Sequence, residues 1–213
     1  MSTFDSKHAA GLHRHIHSHL PSDAALRVKA LESLAVEKGL IAPETIDAWV
    51  EAYSDHIGPM RGAKVVARSW VDPAFRARLL ENATEAIKEF GFEGNATGHL
   101  KAVENTATAH NMVVCTLCSC YPFSILGMSP AWYKSAAYRA RAVREPRAVL
   151  AEFGVDLPED VALRVWDSTA ELRYLVLPQR PAGTEGWDED RLAAIVTRNS
   201  MIGTERVLAT GGT

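Results

Sequence analysis

The three cysteines of this 213-residue chain all lie within one short stretch, here named the cysteine loop: Cys115-Thr116-Leu117-Cys118-Ser119-Cys120. One residue separates Cys118 from Cys120, so their sulfurs can approach one metal ion from either side of the Ser119 peptide unit. The amide nitrogens of Ser119 and Cys120 lie between those sulfurs and would complete a plane of ligands. Cys115 would then supply an axial sulfur and leave one position open. The spacing therefore predicts a catalytic metal site.

The chemical nature of these donors restricts the metal. Thiolates favour transition metals over magnesium and calcium, and strong-field amide nitrogens favour a small trivalent ion. The spacing alone leaves other sites open. A structural zinc site needs a fourth ligand, for which His110 is a candidate, and an iron–sulfur cluster normally takes four cysteines. A thioredoxin-like Cys-x-x-Cys pair would leave Cys120 without a role.

The residues around the loop resemble the metal-binding motif of the nitrile hydratase alpha subunit. The resemblance is strongest from Val113 to Pro122 and extends from about Ser22 to Gly203. It implies an enzyme that hydrates an organic nitrile to the corresponding amide. Further motifs that carry it are Pro130-Ala131-Trp132-Tyr133-Lys134, Tyr138-Arg139-Ala140-Arg141, Val165-Trp166-Asp167-Ser168 and Glu171-Leu172-Arg173-Tyr174.

The resemblance also implies the composition of the site. A non-redox low-spin Co(III) ion, one per chain, is held by Cys115, Cys118, Cys120 and the amide nitrogens of Ser119 and Cys120. Cys118 is oxidised to sulfinic acid and Cys120 to sulfenic acid, which is reasonable for solvent-accessible thiolates. Cys120 and Ser119 are the candidate catalytic residues. The nucleophile is either water activated by the metal or the oxygen on Cys120, and the sequence leaves this choice open.

Two further features bear on metal and substrate. Thr116 and Tyr121 favour the cobalt subtype of the family over the iron subtype, as a family association. Cobalt-type relatives usually carry Trp in the substrate pocket where this chain has Phe123. We therefore expect Phe123 to line a roomier pocket that accepts bulkier nitriles.

Partners and supporting residues follow from the same resemblance. It implies a beta subunit whose arginines pair with the oxidised cysteines, an α2β2 assembly, and an activator protein that inserts cobalt. Asp167 and Arg173 match family positions in the strand-turn-strand segment. They are expected either to support the metal ligands or contact the partner subunit, or else to form an ordinary ion pair across the turn.

Two other functions remain open. The catalytic subunit of thiocyanate hydrolase has the same cobalt motif, but its relatives place Arg at the position of Phe123. A cation suits anionic thiocyanate, whereas a phenyl ring suits an organic nitrile. A non-enzymatic metal or thiol redox module would use the three cysteines without a substrate.

Composition excludes several classes of partner. The formal net charge of −3 gives no electrostatic reason to expect nucleic acid or an anionic membrane as a partner. No apolar run approaches the length of a membrane span, and the first residues lack the apolar region of a signal peptide. An odd number of clustered cysteines is poor disulfide material, so a cytoplasmic protein is expected.

The chain predicts an α+β fold in three parts. Residues 1–21 are rich in histidine and are expected to form a disordered tail, with weak metal binding as a second interpretation. Residues 22–91 contain amphipathic helices, and the resemblance implies that this helical arm embraces the beta subunit. Residues 92–213 are expected to form the catalytic metal-binding domain, which the resemblance makes a layered α-β-β-α domain.

Periodicity places the elements of that domain. Asn111–Cys115 is predicted as the strand that leads into the cysteine loop. A single helix is expected over each of residues 72–90, 131–142, 146–153 and 188–198. The other predicted strands are Leu100–Val103, Val161–Trp166 and Leu172–Leu177.

Overall fold

The computed structural model describes residues 23–51, 58–92 and 98–209. The predicted tail of residues 1–21 therefore lies outside the described residues. The chain divides into two compact units, residues 1–50 and 51–213. Within the described ranges, no helix has the length and apolar character that crossing a membrane requires.

The first unit contains helix α1 (Asp23–Glu37) and most of α2 (Pro43–Glu51). None of the residues of α1 is buried. Its larger apolar side chains are exposed instead, and they are Leu26, Val28, Leu31 and Leu34. The apolar stripe that predicts this helix is thus exposed in the described part of the chain.

Helices α3 (Gly58–Val71), α4 (Pro73–Glu81) and α5 (Ala83–Ala86) begin the second unit, followed by a 3-10 turn at Ile87–Phe90. Their buried side chains, such as Val66 and Phe75, belong to the same core as the strands. The unit therefore begins well before the predicted domain boundary at residues 91 and 92. Composition changes there, but α4 and α5 pack on the strand His99–Glu104, and α3 packs on later helices of the same unit.

The single helix predicted over residues 72–90 is broken at Asn82. Asp72 caps α4 by accepting a hydrogen bond from the Phe75 N–H, and Pro73 follows at the first helical position. Asn82 repeats this role, since its side chain accepts from the Glu85 N–H and starts α5. A second cap within one apolar stripe thus divides the predicted helix.

Two parallel two-stranded sheets form the centre. β1 (His99–Glu104) pairs with β4 (Leu172–Leu177), and β2 (Ala109–Val114) pairs with β3 (Ala162–Asp167). The sheets contact each other through β2 and β4, while α4 packs on β1 and a later helix, α9 (Pro146–Glu152), packs on β3. The predicted α+β fold with α-β-β-α layers is confirmed.

The remaining helices differ from the prediction in detail. The helix predicted over residues 131–142 is two, α7 (Ala131–Lys134) and α8 (Ala136–Arg144), because the Ser135 hydroxyl caps the second by accepting from the Tyr138 N–H. The last predicted helix, over residues 188–198, is shorter in the structure, where α10 spans Glu189–Ile195, and a further short helix, α11 (Arg198–Ile202), follows it. A short helix, α6 (Phe123–Leu126), lies between the cysteine loop and α7.

Gly203 ends α11 with a positive φ of 91°, and an added Cβ would lie 1.9 Å from the Asn111 carbonyl oxygen. We expect Gly203→Ala to lower the free energy of unfolding by about 3 kcal/mol or more, since it adds a backbone clash to backbone strain. Denaturant unfolding measures this loss. Gly154→Ala is the control, because its φ of 81° is similar but its Cβ would meet open space. Equal losses in the two variants would contradict the clash.

Candidate metal centre

The sulfur atoms of the cysteine loop are gathered at one point. The Cys115 and Cys118 sulfurs are 3.4 Å apart, and those of Cys118 and Cys120 are 3.2 Å apart. The three sulfurs all lie within 4.8 Å of one another. Two sulfurs bound to one metal at right angles, each at about 2.3 Å, would be about 3.3 Å apart. The observed separations therefore suit sulfurs that share one ion.

Burial differs sharply along the loop. Cys115 follows the last residue of β2 directly and is fully buried, Cys120 is half-buried and Cys118 is exposed. Leu117, between the first two cysteines, is 87% exposed. The Cys115 sulfur is thus fixed to the rigid sheet, while Cys118 and, in part, Cys120 are open to solvent.

The thiols are not electrostatically equivalent. Hydrogen bonds from the Cys120 and Cys115 thiols lower the pKa of Cys118 to about 7. Burial is the main cause that raises the pKa of Cys120 to about 12, against the opposing charge of Arg173. Of these two thiols, Cys118 therefore loses its proton more readily than Cys120.

The amide nitrogens proposed as ligands are available. The backbone N–H groups of Cys120 and Ser119 both help to stabilise the Cys118 thiolate, so they lie beside that sulfur. Neither N–H donates to a carbonyl group within the described part of the chain. Sulfur and amide donors together suit a soft or strong-field transition metal better than magnesium or calcium. The residues present fit such a metal.

Side chains from three elements hold the loop. Asp167, at the end of β3, accepts hydrogen bonds from the Thr116 N–H at 2.9 Å and the Thr116 hydroxyl at 2.6 Å. The Tyr133 hydroxyl donates to the Cys120 carbonyl oxygen at 2.9 Å, and Arg139 donates to the Thr116 carbonyl oxygen at 3.3 Å. Sequence reasoning missed Tyr133 and Arg139 as site residues. Their presence in the family motifs was the only signal.

Asp167 and Arg173, the predicted supporting residues, do not pair with each other among the ion pairs of the described residues. Arg173 extends from β4, and its charge acts on Cys120. The Nε and Nη1 atoms of Arg173 are buried and have no hydrogen-bond partner within the described structure. Both residues thus face the cysteine loop.

Two other residues that the sequence analysis named are His110 and Phe123. His110 donates from Nε2 to the Gly203 carbonyl oxygen at 2.7 Å, and Asn105 lies 3.3 Å from its Nδ1. Burial lowers the pKa of His110. Because both ring nitrogens have partners, His110 is a structural residue and not a fourth metal ligand. Phe123 begins α6, two residues beyond Tyr121, and is half-buried.

Comparison with known proteins places this site in a family. Residues 22–205 match the family model for the nitrile hydratase alpha chain. The low-molecular-weight cobalt-containing nitrile hydratase alpha subunit of Rhodococcus rhodochrous is 58% identical over 85% of this chain and 87% of its own length. The gamma subunit of thiocyanate hydrolase from Thiobacillus thioparus is 45% identical over 85% of this chain and 79% of its own.

A solved structure supports the same family assignment. A double mutant of the Fe-type nitrile hydratase from Comamonas testosteroni Ni1 superposes with a TM-score of 0.81 at 45% identity, covering 88% of this chain and 92% of that one. The family match spans both compact units and includes the whole cysteine loop. The chain therefore belongs to the nitrile hydratase alpha-chain family of nitrile-hydrating enzymes.

Proposed function

We propose that this chain is the metal-bearing subunit of a cobalt-containing nitrile hydratase, which adds water to an organic nitrile to give the amide. The observation that carries the proposal is the gathering of three sulfurs within 4.8 Å beside two amide nitrogens that donate to no carbonyl group among the described residues. The strong similarity to a cobalt-containing alpha subunit supports cobalt as the metal.

The three cysteines and the two amide nitrogens of the loop are the groups that would take part in this reaction. Cys115, Cys118, Cys120 and the amide nitrogens of Ser119 and Cys120 would hold the ion. Bound cobalt would supply Lewis acidity that draws electron density away from the nitrile carbon. The exposed side of the loop at Cys118 gives the substrate its approach, and buried Cys115 fixes the site to β2.

Oxidation of Cys118 to sulfinic acid and of Cys120 to sulfenic acid is part of the proposal, with dioxygen or a peroxide as the oxidant that supplies the oxygen atoms. Exposure favours oxidation of a thiolate, and Cys118 is exposed. The buried guanidinium of Arg173 supports an anionic oxygen near Cys120, because its Nε and Nη1 atoms have no other partner among the described residues. Asp167 is proposed to keep the loop in place through Thr116.

A beta subunit is expected to complete the active site. The exposed apolar stripe of α1 supports it, since a helix with no buried residue has its apolar face available to another chain. Leu117 beside the metal ligands is exposed as well. We further expect an α2β2 complex in the cytoplasm, where thiols stay reduced until the metal is inserted by an activator protein.

The test is to produce this chain with its beta subunit in cobalt-supplemented cells. Metal analysis should find cobalt, and mass spectrometry should find two added oxygens on Cys118 and one on Cys120. The complex should hydrate an aromatic nitrile faster than it hydrolyses thiocyanate, the alternative that the 45% identity to a thiocyanate hydrolase subunit raises. Zinc with three unmodified thiols would overturn the proposal, and faster thiocyanate turnover would favour the alternative.

Substrate size should depend on Phe123. We expect Phe123→Trp to lower kcat/KM for benzonitrile about tenfold relative to acrylonitrile, because a larger ring fills space in the pocket. Phe123→Leu is the control and should not disfavour benzonitrile. The ratio of the two kcat/KM values removes any effect on cobalt content. An unchanged ratio in Phe123→Trp would show that this side chain does not line the substrate pocket.

A further inference from the structure

The helix pair α7 and α8 contacts both ends of the cysteine loop through side chains that are not metal ligands. Tyr133, in α7, donates its hydroxyl hydrogen to the carbonyl oxygen of Cys120 at 2.9 Å. Arg139, in α8, donates from Nη1 to the carbonyl oxygen of Thr116 at 3.3 Å. The residues between these two carbonyls are Leu117, Cys118 and Ser119. The exposed part of the loop therefore lies between two backbone carbonyls that are each held by a hydrogen bond from the helix pair.

Tyr133 has little freedom to move. Its side chain is fully buried, and its ring makes an edge contact with Tyr121 at a centroid distance of 5.2 Å. On the other side it contacts the rings of Trp132 and Tyr138 at 6.0 Å and 5.7 Å. Trp132 is itself packed against Phe153 of the neighbouring helix segment at 4.8 Å. A donor fixed in this way determines where the Cys120 carbonyl oxygen lies.

The position of that carbonyl matters for the ligands. Peptide units are planar, so fixing the Cys120 carbonyl limits the backbone rotations that carry the Cys120 sulfur and amide nitrogen. Arg139 limits Thr116 in the same way, and Asp167 adds two hydrogen bonds to that residue. A loop already ordered at both ends loses less conformational freedom when it binds an ion.

We propose that Tyr133 and Arg139 fix the two ends of the cysteine loop before metal insertion, with Tyr133 acting as a positioning residue for the ligand Cys120. The inference rests on the proposed function in that the loop binds cobalt. It assigns to the helix pair α7–α8 the task of setting the geometry of the site. The hydroxyl of Tyr133, and not only its ring, should therefore affect the bound metal.

Tyr138 provides a matched control on the same helix pair. Its hydroxyl donates to the Val113 carbonyl oxygen at 2.6 Å, and it is also buried. The chemistry equals that of Tyr133, but the acceptor belongs to strand β2 and not to the loop. A merely structural role would make Tyr133→Phe and Tyr138→Phe equivalent in every measurement.

The experiment compares these two variants with the wild-type complex of alpha and beta subunits, produced at limiting cobalt. Cobalt per alpha chain, the sulfur-to-cobalt charge-transfer absorption and the thermal unfolding midpoint are measured together. We expect both variants to lose similar thermal stability. Tyr133→Phe alone should bind cobalt about tenfold more weakly, as loss of a ligand-orienting partner usually does. Its charge-transfer band should also shift, whereas Tyr138→Phe should keep the wild-type band.

Wild-type cobalt content and spectrum in Tyr133→Phe, or equal losses in Tyr138→Phe, would overturn the inference. If Tyr133→Phe does not fold, Arg139→Gln replaces it. Arg141→Gln is then the control, because the ion pairs of Arg141 among the described residues are with the surface glutamates Glu145 and Glu152. The same measurements separate this inference from the proposed function. A wild-type complex that binds cobalt without hydrating nitriles would refute the function, while the variants still decide the role of Tyr133. A wild type without cobalt would refute both.

Discussion

Cys115→Ser is expected to remove cobalt from the complex and to lower kcat for nitrile hydration by about 1,000-fold or more. The metal contributes several kcal/mol to stabilising the transition state, and each 1.36 kcal/mol is a factor of ten in rate. Serine is nearly isosteric with cysteine, but its hard neutral oxygen is a poor ligand for a metal selected by thiolates. Cobalt analysis and steady-state kinetics on the purified complex measure both effects.

The buried position of Cys115 makes the result interpretable. Its sulfur is 3.4 Å from that of Cys118, and it begins the loop directly after the fully buried strand β2. Thr116→Ser is the matched control, because the new side chain keeps a hydroxyl for Asp167 and leaves all three thiols in place. It should retain cobalt. Full cobalt occupancy in Cys115→Ser would show that this sulfur is not a ligand.

The chemistry of the cysteine loop could be predicted because it is local. The ligands lie within a few bonds of one another, so the spacing of Cys115, Cys118 and Cys120 already limits how they can meet one ion. The strand before the loop was predictable for a similar reason, since an apolar run of β-branched and other apolar residues favours a buried strand. The predicted strand begins two residues late and ends one residue late, because β2 spans Ala109–Val114 and Cys115 follows it.

The arrangement of the strands was not predictable from local patterns. β1 pairs with β4 and β2 with β3, so each pair joins distant parts of the chain. Hydrophobic alternation indicates that a strand is half-buried but not which strand lies beside it. Local patterns likewise did not predict that side chains of α3 to α5 share one core with the strands. For that reason the second compact unit begins at residue 51 and not at the glycine-rich segment after Phe90.

The supporting hydrogen bonds depend on that arrangement. Asp167 reaches Thr116 because β3 pairs in register with β2, which places Asp167 opposite Val114, the last strand residue before the loop. Arg173 acts on Cys120 from β4, in the other sheet. The cysteine loop thus lies where the ends of both sheets approach each other. This position gives a surface loop a rigid support on its buried side.

Ser119→Pro is expected to abolish cobalt binding, whereas Ser119→Ala should retain it. If the Ser119 nitrogen binds the metal as a deprotonated amide, any residue with an N–H can supply it and the hydroxyl is dispensable. Proline has no N–H to lose, so its nitrogen cannot become an anionic ligand. Cobalt content and the charge-transfer absorption of the purified complexes measure the difference.

Proline also restricts the backbone, which by itself could disturb the loop. Leu117→Pro therefore places the same ring two residues earlier, at a side chain that is 87% exposed and not a proposed ligand. We expect cobalt to be retained there, although less of it than in Ser119→Ala. Equal loss in the two proline variants would attribute the effect to backbone restriction. Full cobalt in Ser119→Pro would remove this amide from the ligand set and leave the three sulfurs and the Cys120 amide nitrogen as the proposed ligands.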